Sequence, residues 1–150
     1  MVVEEILSYS ALDVAKYVIK HEHDKAREIS NLRLQKLLYF VQAKVLVETD
    51  APCFDDEIEA WDFGPVVPAV YYAYKIFGSW DIVIDDSVPF INKSVAAYID
   101  SIVDYCKDYP TFQLVDITHK QSPWKNARQK GKKTIITKDS IAGYFKHNEK

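Results

Sequence analysis

The segment from Trp61 to Tyr71 constrains the fold of this chain more than any other stretch. It contains a glycine, two prolines three residues apart, and aromatic residues at both ends. Gly64 can adopt backbone angles that other residues resist, and Pro65 disfavours a helical conformation at the residue before it. Pro68 suits the first turn of a helix, where its missing amide hydrogen is not needed. The segment therefore predicts a rigid corner that ends an extended segment and begins a helix.

Most of the remaining chain shows helical periodicity. Ser10 and Ser30 are candidate caps, each followed by apolar residues at helical spacing, and the strongest helix follows Ser30. Thr111 and Ser122 are candidate caps of two later helices. Residues 58–63 alternate like a strand, whereas residues 82–84 fit either a strand that pairs with them or a loop. We predict a mainly α fold, a compact single-domain helical bundle spanning residues 1–150. It should have about six or seven helices and at most a small two-stranded β element.

Composition is that of an ordinary globular protein. Hydrophobic residues make up 48% of the 150 residues and charged residues 27%. A chain of this length can bury a core without the help of disulfide bonds or metal ions. No apolar run is long enough to cross a membrane, and residues 1–5 lack the basic start of a secretory signal. The two cysteines, Cys53 and Cys106, are widely separated. We expect them to be reduced thiols, which makes a cytoplasmic location the default.

Charge is unevenly distributed, although the net charge is only −3. Residues 48–62 contain seven acidic residues and no Lys or Arg, whereas residues 120–138 contain seven basic residues and no Asp or Glu. Such asymmetry can steer association with a partner, but charged runs also serve as solvated surface. Both interpretations stay open. Nucleic-acid binding through the basic run is less favoured, because the run contains one aromatic residue and no recognition motif.

The polar clusters do not predict an enzyme or metal site. One acidic cluster comprises Asp55, Asp56, Glu57 and Glu59. No glycine-bearing calcium loop follows it, so an acidic surface is the favoured interpretation. His21 and His23 are two residues apart, whereas zinc-binding histidines on one helix are normally four apart. We expect these two histidines to be exposed polar residues.

His119 and Lys36 each allow a structural and a functional interpretation. The imidazole of His119 can bond to backbone groups that a kinked connection leaves unpaired, or it can act as a general base in a hydrolase. No nucleophile accompanies it, so the structural role is favoured. Helical periodicity places Lys36 outward, where its stem covers apolar surface. Its ammonium group is then solvated, or meets an acid of a partner or of this chain.

Three blocks, in this order, resemble the Panacea domain, a family of SocA-like and GepA-like antitoxins often found on prophages. They are Asn31–Gln42, Trp61–Tyr71 and Leu114–Trp124, which are similar to the family patterns N.KLQKLLYF.Q, W.(Y/F)GPV.P.VY and L...TH...PW. The resemblance covers nearly the whole chain. It implies structural roles for the residues at the matching positions, which are Gln35, Tyr39, Phe63, Gly64, Pro65, Pro68, His119, Pro123 and Trp124.

The resemblance also implies a function. It implies a bacterial, cytoplasmic antitoxin of a toxin–antitoxin system that is not an enzyme, needs no cofactor and neutralises a cognate toxin protein by direct binding. One alternative is a prophage-borne adaptor that delivers a partner to a bacterial protease, and a less favoured one is a nucleic-acid-associated regulator. Membrane contact is not expected, and homo-oligomer formation is left open. We predict that a surface of acids and aromatics covers a basic face of the toxin, through Lys36, Asp55, Asp56, Glu57, Glu59, Trp61 and Tyr72.

Overall fold

The computed structural model describes residues 8–84 and 87–148, so the prediction for residues 1–5 lies outside the described chain. Within that part, seven α-helices and three short strands confirm the mainly α class. The elements in chain order are α1 (Ala11–Asp24), α2 (Asn31–Thr49), β1 (Ile58–Trp61), β2 (Gly64–Val66), α3 (Pro68–Tyr74), a 3-10 turn (Lys75–Phe77), α4 (Lys93–Tyr105), α5 (Thr111–His119), α6 (Ser122–Lys130), β3 (Thr134–Ile136) and α7 (Lys138–Asn148).

The helix starts follow the predicted capping chemistry, with a shift of one residue in two helices. The hydroxyl oxygens of Ser10 and Ser30 accept hydrogen bonds from backbone amides at the starts of α1 and α2, as N-cap side chains do. For α5 and α6 the capping positions are Pro110 and Gln121, one residue before the predicted Thr111 and Ser122. Proline is tolerated throughout the first turn, so the sequence pattern fits either register.

The sheet has one strand more than predicted. Its order is β2–β1–β3, and both pairs are antiparallel, with Ala60 opposite Pro65 on one side and Thr134 on the other. β3 is only three residues long, too short for an alternating pattern to reveal it. Residues 82–84 form a loop, in which the backbone amide of Ile82 donates to the carbonyl oxygen of Ile29 at 2.9 Å.

The centre of the fold is α2, which is buried along most of its length and packs against α1, α4, α5, α7 and β2. Apolar side chains such as Leu34, Leu38 and Val41 form the core around it. Several polar residues of the same helix are also buried, namely Asn31, Arg33, Gln35, Lys36 and Gln42. Because buried polar groups need hydrogen-bond partners, these residues determine which loops and strands can dock on α2.

Both cysteines are free and buried. Burial raises the pKa of Cys53 to about 12 and that of Cys106 to about 11. The thiolate is the reactive form of cysteine, so these two side chains act as apolar core residues. None of the helices in residues 8–84 and 87–148 has the length and apolarity that a membrane span requires.

Candidate functional site

The inner side of the Gly64–Pro65 corner is packed so closely that only glycine fits. Gly64 has φ = +103°, a conformation that side chains rarely adopt. A Cβ atom at this position would lie 2.8 Å from Oγ1 of Thr118 and 3.1 Å from Cε of Lys36. The corner is therefore clamped between α2 and α5.

Lys36 lies directly beneath the corner. Its side chain is completely buried, and its Nζ donates a hydrogen bond of 2.5 Å to the carbonyl oxygen of Pro65. Burial lowers the pKa of Lys36 to about 7, because an apolar environment disfavours the charged form. The prediction that Lys36 points outward is wrong, since neighbouring elements cover α2 on this face too. Its ammonium group cannot reach a partner from this position, so the predicted partner contact through Lys36 is also contradicted.

Gln35 holds the junction between β2 and α3. Its Oε1 accepts a hydrogen bond from the backbone amide of Val67 at 2.8 Å, and its Nε2 donates to Oδ1 of Asn31 at 2.9 Å. Nδ2 of Asn31 in turn donates to the carbonyl oxygen of Tyr71 at 3.1 Å. Val67 is the N-cap residue of α3 and has no side-chain cap, with Pro68 following it. Gln35 thus binds an amide that the start of α3 would otherwise leave unpaired.

Tyr39 and Gln42 connect α2 to two further segments. The hydroxyl of Tyr39 donates to Oε1 of Gln121 at 2.7 Å, at the start of α6. Oε1 of Gln42 accepts from the amide of Cys53 at 2.7 Å, and its Nε2 donates to the carbonyl oxygen of Phe54 at 2.8 Å. The residues at 35, 36, 39 and 42 of the α2 block are therefore docking groups for separate parts of the chain.

The turn between β1 and β2 is bound from the other side by His119 and Trp124. Nε1 of Trp124 donates to the carbonyl oxygen of Trp61 at 2.9 Å, and Nε2 of His119 lies 2.9 Å from that of Asp62. The two rings pack together with centroids 4.2 Å apart, and Pro123 beside them is buried. This geometry favours the structural interpretation of His119, because the ring nitrogen that would act as a base faces a backbone acceptor.

The outer side of the corner exposes aromatic side chains. We call the set Trp61, Phe63, Tyr71, Tyr72 and Phe112 the aromatic corner. Phe63, Tyr72 and Phe112 are 58%, 55% and 62% exposed. The rings of Phe63 and Phe112 meet edge to face with centroids 6.2 Å apart, and those of Trp61 and Tyr71 at 5.0 Å. Exposed apolar clusters of this kind are typical of binding surfaces.

A groove with a volume of about 770 Å³ lies beside the aromatic corner. Trp61, Phe63, Tyr71 and Phe112 line it, together with three lysines, Lys75, Lys132 and Lys133. Nζ of Lys133 lies 4.5 Å from the ring centroid of Trp61, within range of a cation–π interaction. No sequence pattern indicates this combination, because the residues come from four separate segments that only the tertiary fold brings together.

The predicted acidic surface is partly used within the chain. Oδ1 of Asp56 accepts a hydrogen bond from the amide of Ala11 at 2.8 Å, at the start of α1. Oε1 of Glu59 accepts from Nε1 of Trp61 at 2.9 Å. Asp55 and Glu57 are exposed. Nζ of Lys138 donates a hydrogen bond to the carbonyl oxygen of Asp55 at 3.0 Å and lies 3.7 Å from the carboxylate of Glu57.

The acidic and basic runs meet because β1 pairs with β3. Oδ1 of Asp62 lies 2.6 Å from Nη2 of Arg128, and Glu59 lies opposite Ile135 in the sheet. The pKa of Asp62 is lowered, chiefly by the hydrogen bond from Arg128. The two runs therefore compensate each other in part and are not two separate surfaces. Among the described residues, no cluster of His, Cys, Asp and Glu could hold a metal ion.

His21 and His23 contact carboxylates and are not freely exposed, which corrects the prediction. Nε2 of His21 lies 2.8 Å from Oδ1 of Asp104, and Nε2 of His23 lies 3.2 Å from Oδ1 of Asp81. We call the residues that join α1 to α4 at this point the ion cluster, which comprises His21, Glu22, Arg27, Asp100 and Asp104. It shares no residue with the aromatic corner.

Comparison with known proteins identifies the family. The model of a family described as "Antitoxin SocA-like, Panacea domain" matches residues 34–125, which include most of α2 and the whole corner. "Antitoxin SocA" of Caulobacter vibrioides (strain NA1000 / CB15N) is 50% identical over 50 residues, which are 33% of this chain and 27% of that antitoxin. No solved structure matches significantly. Since the family model covers more than half of the chain, this protein belongs to the SocA-like antitoxin family with a Panacea domain.

Proposed function

We propose that this protein is an antitoxin that neutralises a cognate toxin protein by binding it directly through the aromatic corner. Membership of the antitoxin family supports the role in general. We infer the binding site from the exposure of Phe63, Tyr72 and Phe112. The backbone of the corner beside them is packed tightly against the interior of the protein. Aromatic residues are enriched at the centres of protein interfaces, where a few of them contribute most of the binding energy.

The rigidity of the corner favours binding. Lys36, Gln35 and Thr118 hold its inner side, while His119 and Trp124 bind its turn. A surface that is ordered before binding loses less conformational entropy when the complex forms. A stable complex should bury on the order of 1,200–2,000 Å² in total, so the toxin would extend beyond the corner over the adjoining groove. Neutralisation would follow from covering the toxin's functional face.

Co-expression tests this proposal. The product of each reading frame adjacent to this gene is expressed alone and together with the antitoxin. We expect one neighbouring product to arrest growth alone, to lose that effect in the presence of this protein, and to co-purify with it. The proposal fails if every neighbouring product is harmless and none co-purifies.

The binding surface is tested by the double substitution Phe63→Ala and Phe112→Ala. We expect the Kd for the toxin to rise by roughly 100-fold, since two central aromatic contacts are lost. Phe90→Ala is the matched control, because Phe90 is 81% exposed and does not line the groove. It should change the Kd by less than about 3-fold. Equal effects of the two variants, with unchanged circular dichroism, would contradict the assignment of the surface.

Covering the toxin and delivering it to a protease differ in the fate of the toxin. Binding alone leaves the half-life of the toxin unchanged or longer, because the complex protects it. Delivery shortens it. We expect a pulse-chase measurement with and without this protein to show no shortening, and a shortened half-life would favour the adaptor function instead.

A further inference from the structure

We propose that the groove beside the aromatic corner receives a segment of the toxin that carries carboxylates around an apolar anchor. The inference rests on the proposed function, because it concerns the chemistry of the same partner. It also reverses the charge expected from the sequence, which placed acids of this chain against a basic face of the toxin. The groove is lined by Lys75, Lys132 and Lys133, and their charge is the starting point.

The three lysines are exposed and line the groove. Nζ of Lys133 lies over Trp61 at 4.5 Å, and Nζ of Lys75 lies 5.8 Å from the ring centroid of Tyr72. An ammonium group placed over an aromatic face is oriented by it and still has hydrogens to donate. Lys133 is therefore held against a ring that lines the groove, and Lys75 against a ring beside it, with hydrogens still available to an incoming carboxylate.

The acids near the groove cancel this charge only in part, since Asp62 is the one carboxylate among the described residues that line it, and it interacts with both Arg128 and Lys132. Asp62 lines the groove, but its Oδ1 lies 2.6 Å from Nη2 of Arg128, which compensates it. Oε1 of Glu59 accepts the indole hydrogen of Trp61. The groove consequently has an excess of positive charge in a protein whose net charge is −3. Complementary charge steers a partner to its site and disfavours partners of the wrong sign.

The wall of the groove is largely apolar. Leu32, Val66, Phe63 and Phe112 contribute to it, and the last two meet edge to face. The volume of about 770 Å³ falls within the range of pockets that enclose whole ligands, roughly 300–1,000 Å³. An aliphatic or aromatic side chain of the toxin can enter this space while flanking carboxylates reach the lysines.

The polar side chains of the wall favour a polypeptide over a nucleic acid. Asn31 and Gln35 line the groove, but they are bonded to each other and to the backbone of residues 71 and 67. Oγ1 of Thr111 lies 3.4 Å from Nη1 of Arg33. Base-specific recognition of RNA combines stacking on aromatic rings with hydrogen bonds to base edges, and the side chains that could supply those hydrogen bonds are already engaged. A toxin segment that inserts an apolar side chain and places carboxylates at the rim requires no such hydrogen-bonding side chains.

A matched pair of charge reversals tests the inference. The groove variant carries Lys132→Glu and Lys133→Glu, and the control carries Lys125→Glu and Lys130→Glu on α6, outside the groove. Both change the net charge by the same amount. With the co-purifying toxin as the probe, we expect the groove variant to weaken binding by about 30-fold or more, mainly through the association rate, and the control by less than about 3-fold.

Three further measurements make the result decisive. Circular dichroism checks that both variants fold, and Lys132→Gln with Lys133→Gln replaces the charge reversal if it unfolds. On an array of peptides that tile the toxin, wild-type protein should bind peptides with acids beside an apolar residue, and replacing those acids by their amides should abolish the signal. An oligouridine strand should not compete with the toxin.

The outcomes separate the two proposals. Equal effects of the two charge-reversed variants, indifference of the peptides to amide replacement, or competition by oligouridine would overturn the groove assignment while toxin neutralisation still stands. A wild-type protein that binds none of the neighbouring products would contradict the proposed function and the groove assignment with it.

Discussion

Two polar clusters hold this fold together in different ways. The cluster beneath the corner, which we call the corner cluster, comprises Gln35, Lys36, Gly64, Pro65 and Thr118, and all five residues are buried. The ion cluster between α1 and α4 lies partly in solvent, with the Asp104 side chain 37% exposed. Lys36 donates to a carbonyl oxygen, and among residues 8–84 and 87–148 no carboxylate forms an ion pair with it. Asp104, in contrast, lies beside both Arg27 and His21.

The difference shows how position determines what a charged residue contributes. A buried amine without a counter-ion loses its hydration, so its neutral form is favoured and it acts as a hydrogen-bond donor of fixed geometry. The ion pair of Asp104 with Arg27 is partly exposed, and such pairs keep much of their hydration and contribute little to stability. The corner cluster therefore fixes the shape of the proposed binding surface, while the ion cluster joins two helices with a strength that depends on pH and salt.

The largest effect should come from Gly64→Ala, which breaks the corner cluster. The new Cβ would lie 2.8 Å from Oγ1 of Thr118, at a backbone angle of φ = +103°. We expect a loss of about 3 kcal/mol in the free energy of unfolding, from backbone strain and overpacking together. Urea denaturation measures it.

Gly143→Ala is the control for that substitution. Gly143 lies in α7, and nothing within 4 Å would meet its Cβ. Alanine should therefore stabilise the protein by about 0.5–1 kcal/mol, because it favours the helix. If the two alanine variants had the same stability, the corner would not be tightly packed.

A smaller effect is expected from Lys36→Met, and it should depend on pH. The pKa of Lys36 is about 7 in the folded protein, against 10.5 for an ordinary lysine. Between these values the unfolded chain binds more protons than the folded one, so the stability contributed by the lysine rises with pH. From pH 7 to pH 8.5 the stability of the wild type should increase relative to Lys36→Met by about 1–2 kcal/mol.

Lys44→Met provides the comparison for this measurement, because Lys44 lies on the same helix and pairs with Glu48 near the surface. Comparing Lys36→Met with this variant removes any effect of pH that a lysine-to-methionine change on α2 has in general. A pH-independent difference between the wild type and Lys36→Met would show that Lys36 is charged in the folded protein, and the account of the corner cluster would be wrong.

The smallest effect is expected from Asp104→Asn in the ion cluster. Burial alone would raise the pKa of Asp104, but hydrogen bonds from His21 and Arg27 hold it below its ordinary value of 3.8. Since the folded pKa is lowered, its contribution is present above pH 4 and is lost as the pH falls through the folded pKa. The substitution should cost about 1 kcal/mol or less at neutral pH, because the side chain is partly exposed.

Salt distinguishes the two clusters. The effect of Asp104→Asn should shrink in about 1 M NaCl, where exposed charges are screened, whereas the effect of Lys36→Met should persist. Asp108→Asn is the control, since Asp108 is 82% exposed and pairs only with the neighbouring Lys107 in the described structure. If the loss of stability in Asp104→Asn did not depend on salt, the ion cluster would behave like the buried cluster beneath the corner.

Local features of the fold could be predicted because they depend on neighbouring residues. Ser10 and Ser30 cap helices through amides three residues away, and Gly64 with Pro65 and Pro68 determines a turn from within. The same reasoning failed for Lys36, because helical periodicity assumes that one face of a helix meets water. Neighbouring elements surround α2, so no periodic pattern could indicate that this residue is buried.

The sequence by itself determined the helical class, the caps of α1 and α2, the corner and the family, since each depends on residue types at short spacing. Only the tertiary structure decided that Lys36 is buried, that the acidic and basic runs meet across β1 and β3, and that three lysines lie beside the aromatic corner. The physical reason is that burial and electrostatic interactions depend on distance in space, and contacts between residues far apart in the chain set those distances.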